Sequence, residues 1–498
     1  MEKLIIFFKK YILIFILIFA AGMRLYELDL RDFWYDEAFT GIAVKASFEK
    51  MHEIINNDVH PPLYYYLLKV FAYWFNYSVY GIRLLSVIFG ILGVAAVYYC
   101  ALVLMNKKTA VLAAFITAIS PFAIQYSKEG RMYSMFACLI LVASYFFIQA
   151  LQKNRIRYYV LWGIFMGLAT LTHYISLIYI GIFYLAYLVY FLQTKHKDIK
   201  PGSIKLWIKN IINPKFVWGL AAFLLIFSVW LKNFSNHLLQ QERSNSLGWI
   251  EPANFADIFL NIQIFLFGTP LGEMSSGMAK PNEIILFSNQ SIFTIVVMFV
   301  TIMVFYFIKK RDYRAFLVMV LSIGFMSSVY FISLLDKHYM VARYLLPATY
   351  FMYILLAFFL NQISTRARFA FLSVYLFSLL MIVPVGFSTG WNKFYANLDA
   401  YQGKEFYILN SFDYVIAKYY LGSERLILYN IDWPKYNPSY WAAVGHELRR
   451  TENFKDLTNN QNALIISNTQ LEGIDNKSFN PIGLELVEKY DNILLYKY

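Results

Sequence analysis

The segment IRLLSVIFGILGVAAVYYCALVL, residues 82–104, is almost entirely apolar and contains one charged residue, Arg83. A helix of roughly 20 apolar residues is long enough to cross about 30 Å of hydrocarbon, so this segment predicts a membrane-spanning helix. The whole chain agrees with it, since 59% of its 498 residues are hydrophobic and 15% are charged. This composition is typical of a multi-spanning membrane protein and excludes an ordinary soluble protein of the same length.

Similar apolar runs lie on both sides of this segment. Together they predict about eleven spanning helices, at residues 5–23, 82–104, 109–126, 132–151, 158–175, 177–193, 214–232, 285–308, 315–335, 345–361 and 369–389. The first run follows Lys3, Lys9 and Lys10, and no small-residue cleavage site comes after it. This favours a retained signal anchor over a cleaved signal peptide. The predicted fold class is therefore a polytopic α-helical membrane protein.

The connections between the apolar runs are of two kinds. One kind is rich in Lys and Arg, and the other is longer and contains fewer basic residues per position. Because cytoplasmic loops collect Lys and Arg, the basic set predicts the cytoplasmic side and places the N-terminus there. Its members contain Lys107 and Lys108, Lys153 to Arg157, Lys195 to Lys209, Lys309 to Arg314, and Arg366 with Arg368. Topology thus accounts for the net charge of +13, and no nucleic-acid partner is expected. We expect a multi-pass protein of the plasma membrane.

Three regions are predicted to lie outside the cell, at residues 24–81, 233–284 and 391–498. The second contains EPANFADIFLNIQIFLFG, residues 251–268, which predicts either a helix in the membrane interface or a plain surface helix. The third follows a transmembrane domain of residues 1–390 and is richer in polar residues, which predicts a separate small α/β domain. Its expected elements are a helix in SFDYVIAKYYLG and strands in RLILYN, NALIIS and LELVEKYDNILLYKY.

Asp36 and Glu37 are adjacent carboxylates in the aromatic sequence FWYDEAF of the first outer region. The residues after them can form a helix, so the pair would lie near its start, where the helix dipole favours negative charge. Adjacent residues project differently, so at most one carboxylate can cap the helix. A carboxylate held against aromatic rings in a partly dry cleft has a raised proton affinity, as a general base needs.

Asp58 and His60 precede a tyrosine-rich helix that is expected to start after Pro61 and Pro62. An Asp-x-His pair is only a weak candidate for a divalent metal, because two ligands without a third make no site. The alternative is a polar contact without metal. Cys100 and Cys138 lie in apolar runs, so neither a disulfide nor a thiolate site is expected.

Charged residues also cluster at two other outer turns. Lys128, Glu129 and Arg131 lie between the third and fourth predicted spans, and Arg343 enters the tenth. The planar fork of an Arg suits phosphate oxygens, so these residues are candidates for a lipid phosphate. The alternatives are surface ion pairs of Glu129 with a neighbour, and a membrane anchor at Arg343. Arg24 and Arg83, at outer span ends, are predicted either to snorkel or to take part in function.

The ordered set WYDEA (34–38), HPPLYYYLL (60–68) and SPFAIQYSKEGRMYS (120–134) resembles the membrane glycosyltransferases of the GT-C superfamily. Within it, the chain is similar to the family-39-type enzymes related to protein mannosyltransferases, aminoarabinose transferases and Rgt-type core sugar transferases. The resemblance covers residues 10–190, extends loosely to ARYLLP (342–347), and stops before the C-terminal region.

This resemblance implies transfer of a hexosyl or pentosyl group from a polyprenyl-phosphate donor to an acceptor hydroxyl at the outer face. It implies Asp36 as the base, with Glu37 orienting a substrate. An inverting displacement needs one base, and a phosphate leaving group needs no general acid. Lys128, Arg131 and Arg343 would neutralise that phosphate. His60 stands where KPP-type relatives carry a Lys, which weakens that contact and leaves metal involvement open.

Two other functions remain possible from the sequence. A flippase for lipid-linked sugars would place ionisable residues near the bilayer midplane and show repeated halves, whereas the acidic pair lies outside and no repeat is visible. A non-catalytic scaffold for envelope assembly would keep the architecture without needing Asp36, Glu37 and Arg131. If the protein is a glycosyltransferase, the acceptor is expected to be a hydroxyl of a lipid, a glycan or a protein.

Overall fold

The computed structural model describes residues 2–194, 213–244, 252–268, 312–335, 339–382, 390–408, 411–429, 450–451, 460, 462–468, 485–491 and 493–497. The predicted span at 285–308 lies outside these residues, and so does the end of the span at 369–389.

Helices account for most of the described chain. The first part forms α1 (Glu2–Leu25), α2 (Tyr35–Lys45), α3 (Phe48–Asn56), α4 (Leu63–Tyr73), α5 (Val79–Leu104), α6 (Lys107–Ile119), α7 (Pro121–Ser127), α8 (Tyr133–Lys153), α9 (Ile156–Thr170) and α10 (Leu177–Thr194). The second part forms α11 (Phe216–Ser228), α12 (Leu231–Ser244), α13 (Ala256–Phe267), α14 (Tyr313–Met319), α15 (Phe325–Ser333), α16 (Leu346–Leu360) and α17 (Thr365–Ile382). A π-helical turn, Val320–Gly324, joins α14 to α15.

Among the described residues, 5 helical segments are long and apolar enough to cross a membrane, or 7 if each bent pair is one span. The straight ones are Val79–Leu104, Tyr133–Lys153, Tyr174–Thr194, Tyr313–Ser333 and Ala342–Leu360, and each corresponds to a predicted span. The bent pairs correspond to the predicted spans at 109–126 and 214–232. α1, α9 and α17 are apolar helices at three further predicted positions.

The predicted span at 109–126 is not one straight helix. α6 and α7 meet at 62°, because Pro121 cannot donate a backbone hydrogen bond and Ser120 caps the new helix through Ala123. The break frees carbonyl groups at the end of α6. Arg24 donates to two of them, Ala118 O at 3.1 Å and Thr117 O at 3.2 Å. Arg24 is fully buried, so its prediction as a snorkelling anchor is wrong.

α13 confirms the helix predicted within residues 251–268. Much of this helix is more buried than predicted. Leu260, Ile262, Ile264 and Phe265 are all buried. The Phe265 carbonyl accepts a hydrogen bond from the Tyr353 hydroxyl at 2.5 Å. The surface-helix alternative is therefore wrong for residues 260–266, which pack inside the protein, and the position at the membrane interface stays a prediction.

The C-terminal region contains a six-stranded sheet with strand order β3-β2-β1-β4-β6-β5. Its strands are β1 (Glu405–Ile408), β2 (Leu426–Tyr429), β3 (Arg450–Thr451), β4 (Ala463–Asn468), β5 (Glu485–Tyr490) and β6 (Ile493–Lys497). β1 to β4 pair in parallel, and β5 and β6 form an antiparallel hairpin with Asp491 in its turn. Two helices, α18 (Trp391–Ala396) and α19 (Ser411–Leu421), accompany the sheet. The predicted helix and strands are confirmed; the extracytoplasmic location and the boundary at 390 stay predictions.

This C-terminal region contacts both the loop before α2 and α2 itself. The Asp32 carboxylate accepts three backbone N–H bonds, from Gly390 at 2.8 Å, Trp391 at 3.0 Å and Asn392 at 2.8 Å. Gly390 can present its N–H there because its φ of 101° is open to glycine. α19 also packs against α2, where the ring of Tyr419 lies over Gly41 so closely that a side chain at Gly41 would collide with it. The loop before the acidic pair, and the helix that carries the pair, are thus both held by the C-terminal region.

Candidate active site

Asp36 and Glu37 lie in the first turn of α2, as predicted. Neighbouring residues on a helix point about 100° apart, so the two carboxylates face different surroundings. Asp36 is half-buried, whereas Glu37 is buried completely. Neither caps α2, because Trp34 is the N-cap residue and the helix start has no side-chain cap. The capping interpretation of the pair is therefore wrong.

Glu37 forms a buried ion pair with Arg83 of α5. Its Oε1 accepts from Arg83 Nε at 2.7 Å, and its Oε2 accepts from Arg83 Nη2 at 2.8 Å. The backbone N–H of Gly130 also donates to Oε1 at 2.8 Å, and Arg31 lies 3.4 Å from Oε2. Burial acts to raise the pKa of Glu37, but the Arg83 charge and these hydrogen bonds outweigh it and lower the pKa.

Arg83 uses its remaining donors on the loop before α2. They reach the carbonyl groups of Leu28 at 2.9 Å, Arg31 at 2.6 Å and Asp32 at 3.0 Å. Arg83 is 1% exposed, so the snorkelling alternative is wrong for it as well. The structure thus places Glu37 in contact with protein groups that shape the loop. If Glu37 orients a substrate, as expected from the sequence, it does so indirectly, through the position of this loop.

Arg131 connects three parts of the site. Its Nη1 donates to the hydroxyl of Thr40 at 2.8 Å and of Tyr65 at 3.2 Å, and lies 3.4 Å from the carbonyl of Asp36. Its Nε is buried and has no hydrogen-bond partner among the residues that the structure describes. Arg131 is therefore anchored through one nitrogen and keeps another donor for a ligand.

Asp58 and His60 are in contact, as their spacing suggested. Asp58 Oδ2 lies 3.2 Å from His60 Nδ1 and accepts from the Tyr65 hydroxyl at 3.0 Å. Burial acts to raise the pKa of Asp58, but His60, Arg131 and a backbone N–H lower it to about 2. Within the described ranges, no group of three His, Cys, Asp or Glu side chains could hold a metal ion. The pair instead links the start of α4 to Arg131 through Tyr65.

Arg343 lies just before the predicted span at 345–361. Aromatic rings surround its side chain. Its guanidinium carbon is 5.4 Å from the ring centre of Trp34 and 5.9 Å from those of Tyr133 and Tyr344. Such stacking fixes the plane of a guanidinium group while its edge stays available for hydrogen bonds. Asp36 interacts electrostatically with both Arg343 and Arg131.

Glu129 and Lys128 lie close in sequence to Arg131 but differ in their surroundings. Burial raises the pKa of Glu129 to about 7, although Arg31 opposes it, and its Oε2 has no hydrogen-bond partner in the described part of the chain. Lys128 donates to the carbonyl of Tyr26 at the end of α1, at 2.6 Å. The structure therefore brings Glu129 near the arginines and directs Lys128 towards α1. The alternative of a surface ion pair at Glu129 is wrong, because Glu129 is buried.

His173 belongs to the same cluster, and the sequence reasoning missed it. Its ring centre is 4.8 Å from that of Tyr344, 5.7 Å from that of His60 and 6.3 Å from that of Tyr133. The predicted span at 158–175 included this residue, but α9 ends at Thr170. An ionisable side chain within a predicted span is a functional signal by itself, and it would have identified His173. Thr40 and Tyr65 carried no comparable signal.

The Asp36 carboxylate stands out in this cluster. Across the described residues, neither of its oxygens accepts a hydrogen bond from a protein group. It is half-buried beside two guanidinium groups and several aromatic rings. The arrangement pairs a carboxylate that is free to accept a proton with donors that suit an anion.

Comparisons with known proteins agree with this geometry. Residues 59–231 match the family described as dolichyl-phosphate-mannose-protein mannosyltransferase. Among curated proteins, none matches the chain. The ArnT structure from Cupriavidus metallidurans bound to undecaprenyl phosphate is similar, with a TM-score of 0.61 at 12% identity over 97% of both chains. The apo form of that protein has a TM-score of 0.62 at 13% identity, also over 97% of both chains.

A third similar structure is the archaeal oligosaccharyltransferase AglB from Archaeoglobus fulgidus, in complex with an inhibitory peptide and a dolichol phosphate. Its TM-score is 0.50 at 14% identity, covering 93% of this chain and 70% of that one. These likenesses show a shared fold, and the family match covers the segment that carries His60, Arg131 and His173. The resemblance found in the sequence is thereby confirmed. Residues 59–231 are thus similar to the mannosyltransferase family, and the chain shares the fold of these proteins over nearly its whole length.

Proposed function

We propose that this protein transfers a sugar from a polyprenyl-phosphate donor to an acceptor hydroxyl at the outer face of the plasma membrane. The observation that carries the proposal is the Asp36 carboxylate, which is half-buried, accepts no hydrogen bond from the described residues, and lies beside Arg131 and Arg343. Support for the lipid donor comes from the similar structures, which contain bound undecaprenyl phosphate and dolichol phosphate.

Asp36 is the base in this proposal. The acceptor oxygen attacks the anomeric carbon of the donor and its proton passes to the Asp36 carboxylate, while the bond from that carbon to the phosphate oxygen breaks. One displacement inverts the anomeric configuration. The leaving group departs as a phosphate monoester, which is stable as an anion at neutral pH, so no residue has to protonate it.

Arg131 and Arg343 bind the donor phosphate. Negative charge grows on the phosphate oxygen as the sugar leaves, so fixed cations stabilise the transition state more than the ground state. Arg131 is fixed by Thr40 and Tyr65, and Arg343 by the rings around it, so neither group has to reorganise during the reaction. His60 and Glu129 border this position. Lys128 acts there only if it leaves the Tyr26 carbonyl.

Glu37 acts through the protein. Its ion pair with Arg83 sets the path of residues 28–32, and its bond to the Gly130 N–H joins that path to the turn that carries Arg131. The Glu37 carboxylate therefore holds two parts of the site in a fixed relation, namely the loop that precedes Asp36 and the turn that carries Arg131. Acceptor choice is assigned to the outer region at 233–284 and to the C-terminal region.

The test is Asp36→Asn in proteoliposomes, with radiolabelled polyprenyl-phosphate hexoses and pentoses as donors and a membrane extract as the acceptor source. We expect a loss of transfer of about 10²- to 10⁴-fold, the usual contribution of a general base. The matched control is Asp29→Asn, an exposed carboxylate of the same loop, which should keep full activity. NMR of the product should show the inverted anomer.

Full transfer by Asp36→Asn would remove the catalytic assignment. Movement of the lipid-linked sugar between leaflets, without transfer by the wild-type protein, would favour the flippase. Absence of both activities with every donor would favour the scaffold.

A further inference from the structure

His173 is held in one orientation by the backbone around it. It follows the end of α9, and its own N–H donates to Ala169 O at 2.8 Å. Its side-chain Nδ1 accepts from the backbone N–H of Ile175 at 3.3 Å. Because Nδ1 accepts, a neutral ring carries its proton on Nε2. The geometry fixes both the tautomer and the direction of the donor.

The ring of His173 stays neutral in this position. Burial lowers its pKa well below the usual value, and the charges of His60, Arg131 and Arg343 lower it further. A neutral imidazole with Nδ1 as acceptor is a single N–H donor at Nε2. That Nε2 is buried and has no hydrogen-bond partner among the described residues.

Other polar atoms in the same cluster of side chains share this condition. Trp34 Nε1 and Arg131 Nε are also buried donors for which the described residues provide no acceptor. The Trp34 ring is stacked with Arg343, which is next to the Tyr344 that touches His173. Buried donors are satisfied in nearly all native sites, so several in one cluster of side chains indicate a missing acceptor. A phosphate group has several acceptor oxygens and a negative charge, which suits such a cluster beside two guanidinium groups.

We propose that His173 binds the phosphate of the polyprenyl-phosphate donor through Nε2–H, as a neutral donor beside the two arginines. This inference rests on the proposed function, since it assigns a further ligand to the same phosphate. A neutral donor adds a directed hydrogen bond without adding charge. It therefore adds a third fixed donor to those of the two arginines and restricts the orientation of the phosphate further.

The matched variants are His173→Asn and His173→Gln. The Asn amide oxygen can replace Nδ1 as the acceptor for Ile175, but Asn has nothing at the Nε2 position. Gln reaches the Nε2 position with an N–H group. Binding of decaprenyl phosphate and of decaprenol to the purified protein is measured for both variants, with the thermal unfolding midpoint and sugar transfer.

We expect His173→Asn to bind decaprenyl phosphate about tenfold more weakly, the equivalent of one hydrogen bond to a charged group. Its affinity for decaprenol and its unfolding midpoint should not change. His173→Gln should recover most of the lost phosphate affinity and most of the transfer. Wild-type phosphate affinity in His173→Asn, or an equal loss for decaprenol, would overturn the proposal.

A measurement on the wild-type protein covers the case in which both variants fail to fold. Hydrogen exchange at the Cε1 of His173, followed by mass spectrometry, should slow with decaprenyl phosphate and not with decaprenol; equal rates would overturn the proposal. The outcome for the proposed function is separate. A wild-type protein that does not prefer decaprenyl phosphate over decaprenol contradicts the donor assignment itself, whereas that preference with an unaffected His173→Asn contradicts only the role of His173.

Discussion

Glu37→Gln should destabilise the protein strongly. The carboxylate has no exposed surface and its partner Arg83 has almost none, so water cannot replace the lost charge. Gln keeps one acceptor oxygen and brings an NH₂ group against Arg83 or the Gly130 N–H, which are both donors. Breaking a buried ion pair by removing one partner costs about 3–5 kcal/mol, and this value is our expectation.

The assay is a double-mutant cycle. Unfolding is measured in detergent micelles for Glu37→Gln, Arg83→Met, and the two together. Once both charges are gone, neither is left buried and unpaired, so the double variant should be less destabilised than the sum of the two single variants. The matched control is Asp36→Asn, which should change stability little because Asp36 is half-buried and accepts no hydrogen bond among the described residues.

The same ion pair predicts a pH dependence. The pKa of Glu37 is lower in the folded protein than in the unfolded chain, so its contribution to stability is present above the unfolded pKa, near 4.5. It is lost as the pH falls from there through the folded pKa. Single-variant costs below about 1 kcal/mol, or additive effects in the cycle, would refute a buried and coupled pair at this position.

Further predictions concern three other residues. Arg131→Lys keeps the charge but loses the planar fork, so kcat/KM for the lipid donor should fall about 10²-fold with an unchanged unfolding midpoint; unchanged kinetics would contradict phosphate binding by this side chain. Glu129 has a pKa raised to about 7 in the folded state, so its effect on stability is favourable below pH 4.5 and is lost as the pH rises through 7; Glu129→Gln should abolish this slope in unfolding measured from pH 4.5 to 8. Asp32→Asn weakens the three N–H bonds at the start of α18 and should cost about 1–3 kcal/mol, with faster proteolysis between 382 and 405; an unchanged digestion rate would show that the carboxylate does not hold this junction.

The sequence predicted the parts of the fold that depend on local composition. Long apolar runs such as 82–104 and 132–151 became helices at nearly the predicted bounds, since a backbone in hydrocarbon must satisfy its own hydrogen bonds. The C-terminal strands were predictable for a related reason, because short apolar runs between turn residues suit a buried sheet. Asp36 and Arg131 were found because charged residues are conspicuous in so apolar a chain.

What the sequence did not predict depends on contacts between distant residues. Glu37 and Arg83 are 46 positions apart, and nothing local indicates that one is the partner of the other. His173 was hidden because hydropathy extends a span across any short polar interruption, whereas the backbone ends α9 at Thr170. The burial of residues 260–266 in α13 was missed because polar residues in this segment were taken as a sign of exposure. Its Asn261 and Gln263 suggested exposure, but both are buried between neighbouring helices.

Arg24 has a consequence for the order in which the chain assembles in the membrane. It lies in the last turn of α1, and its partners at Thr117, Ala118 and Ser127 are 93 to 103 positions later in the chain. When α1 leaves the ribosome, none of these partners has been made, so we expect the guanidinium group to stay at the lipid headgroups. Only after α6 and α7 have entered the bilayer and broken at Pro121 do carbonyl groups become available to draw Arg24 inward. We therefore expect α1 to dock at its final depth only after α6 and α7 have been inserted.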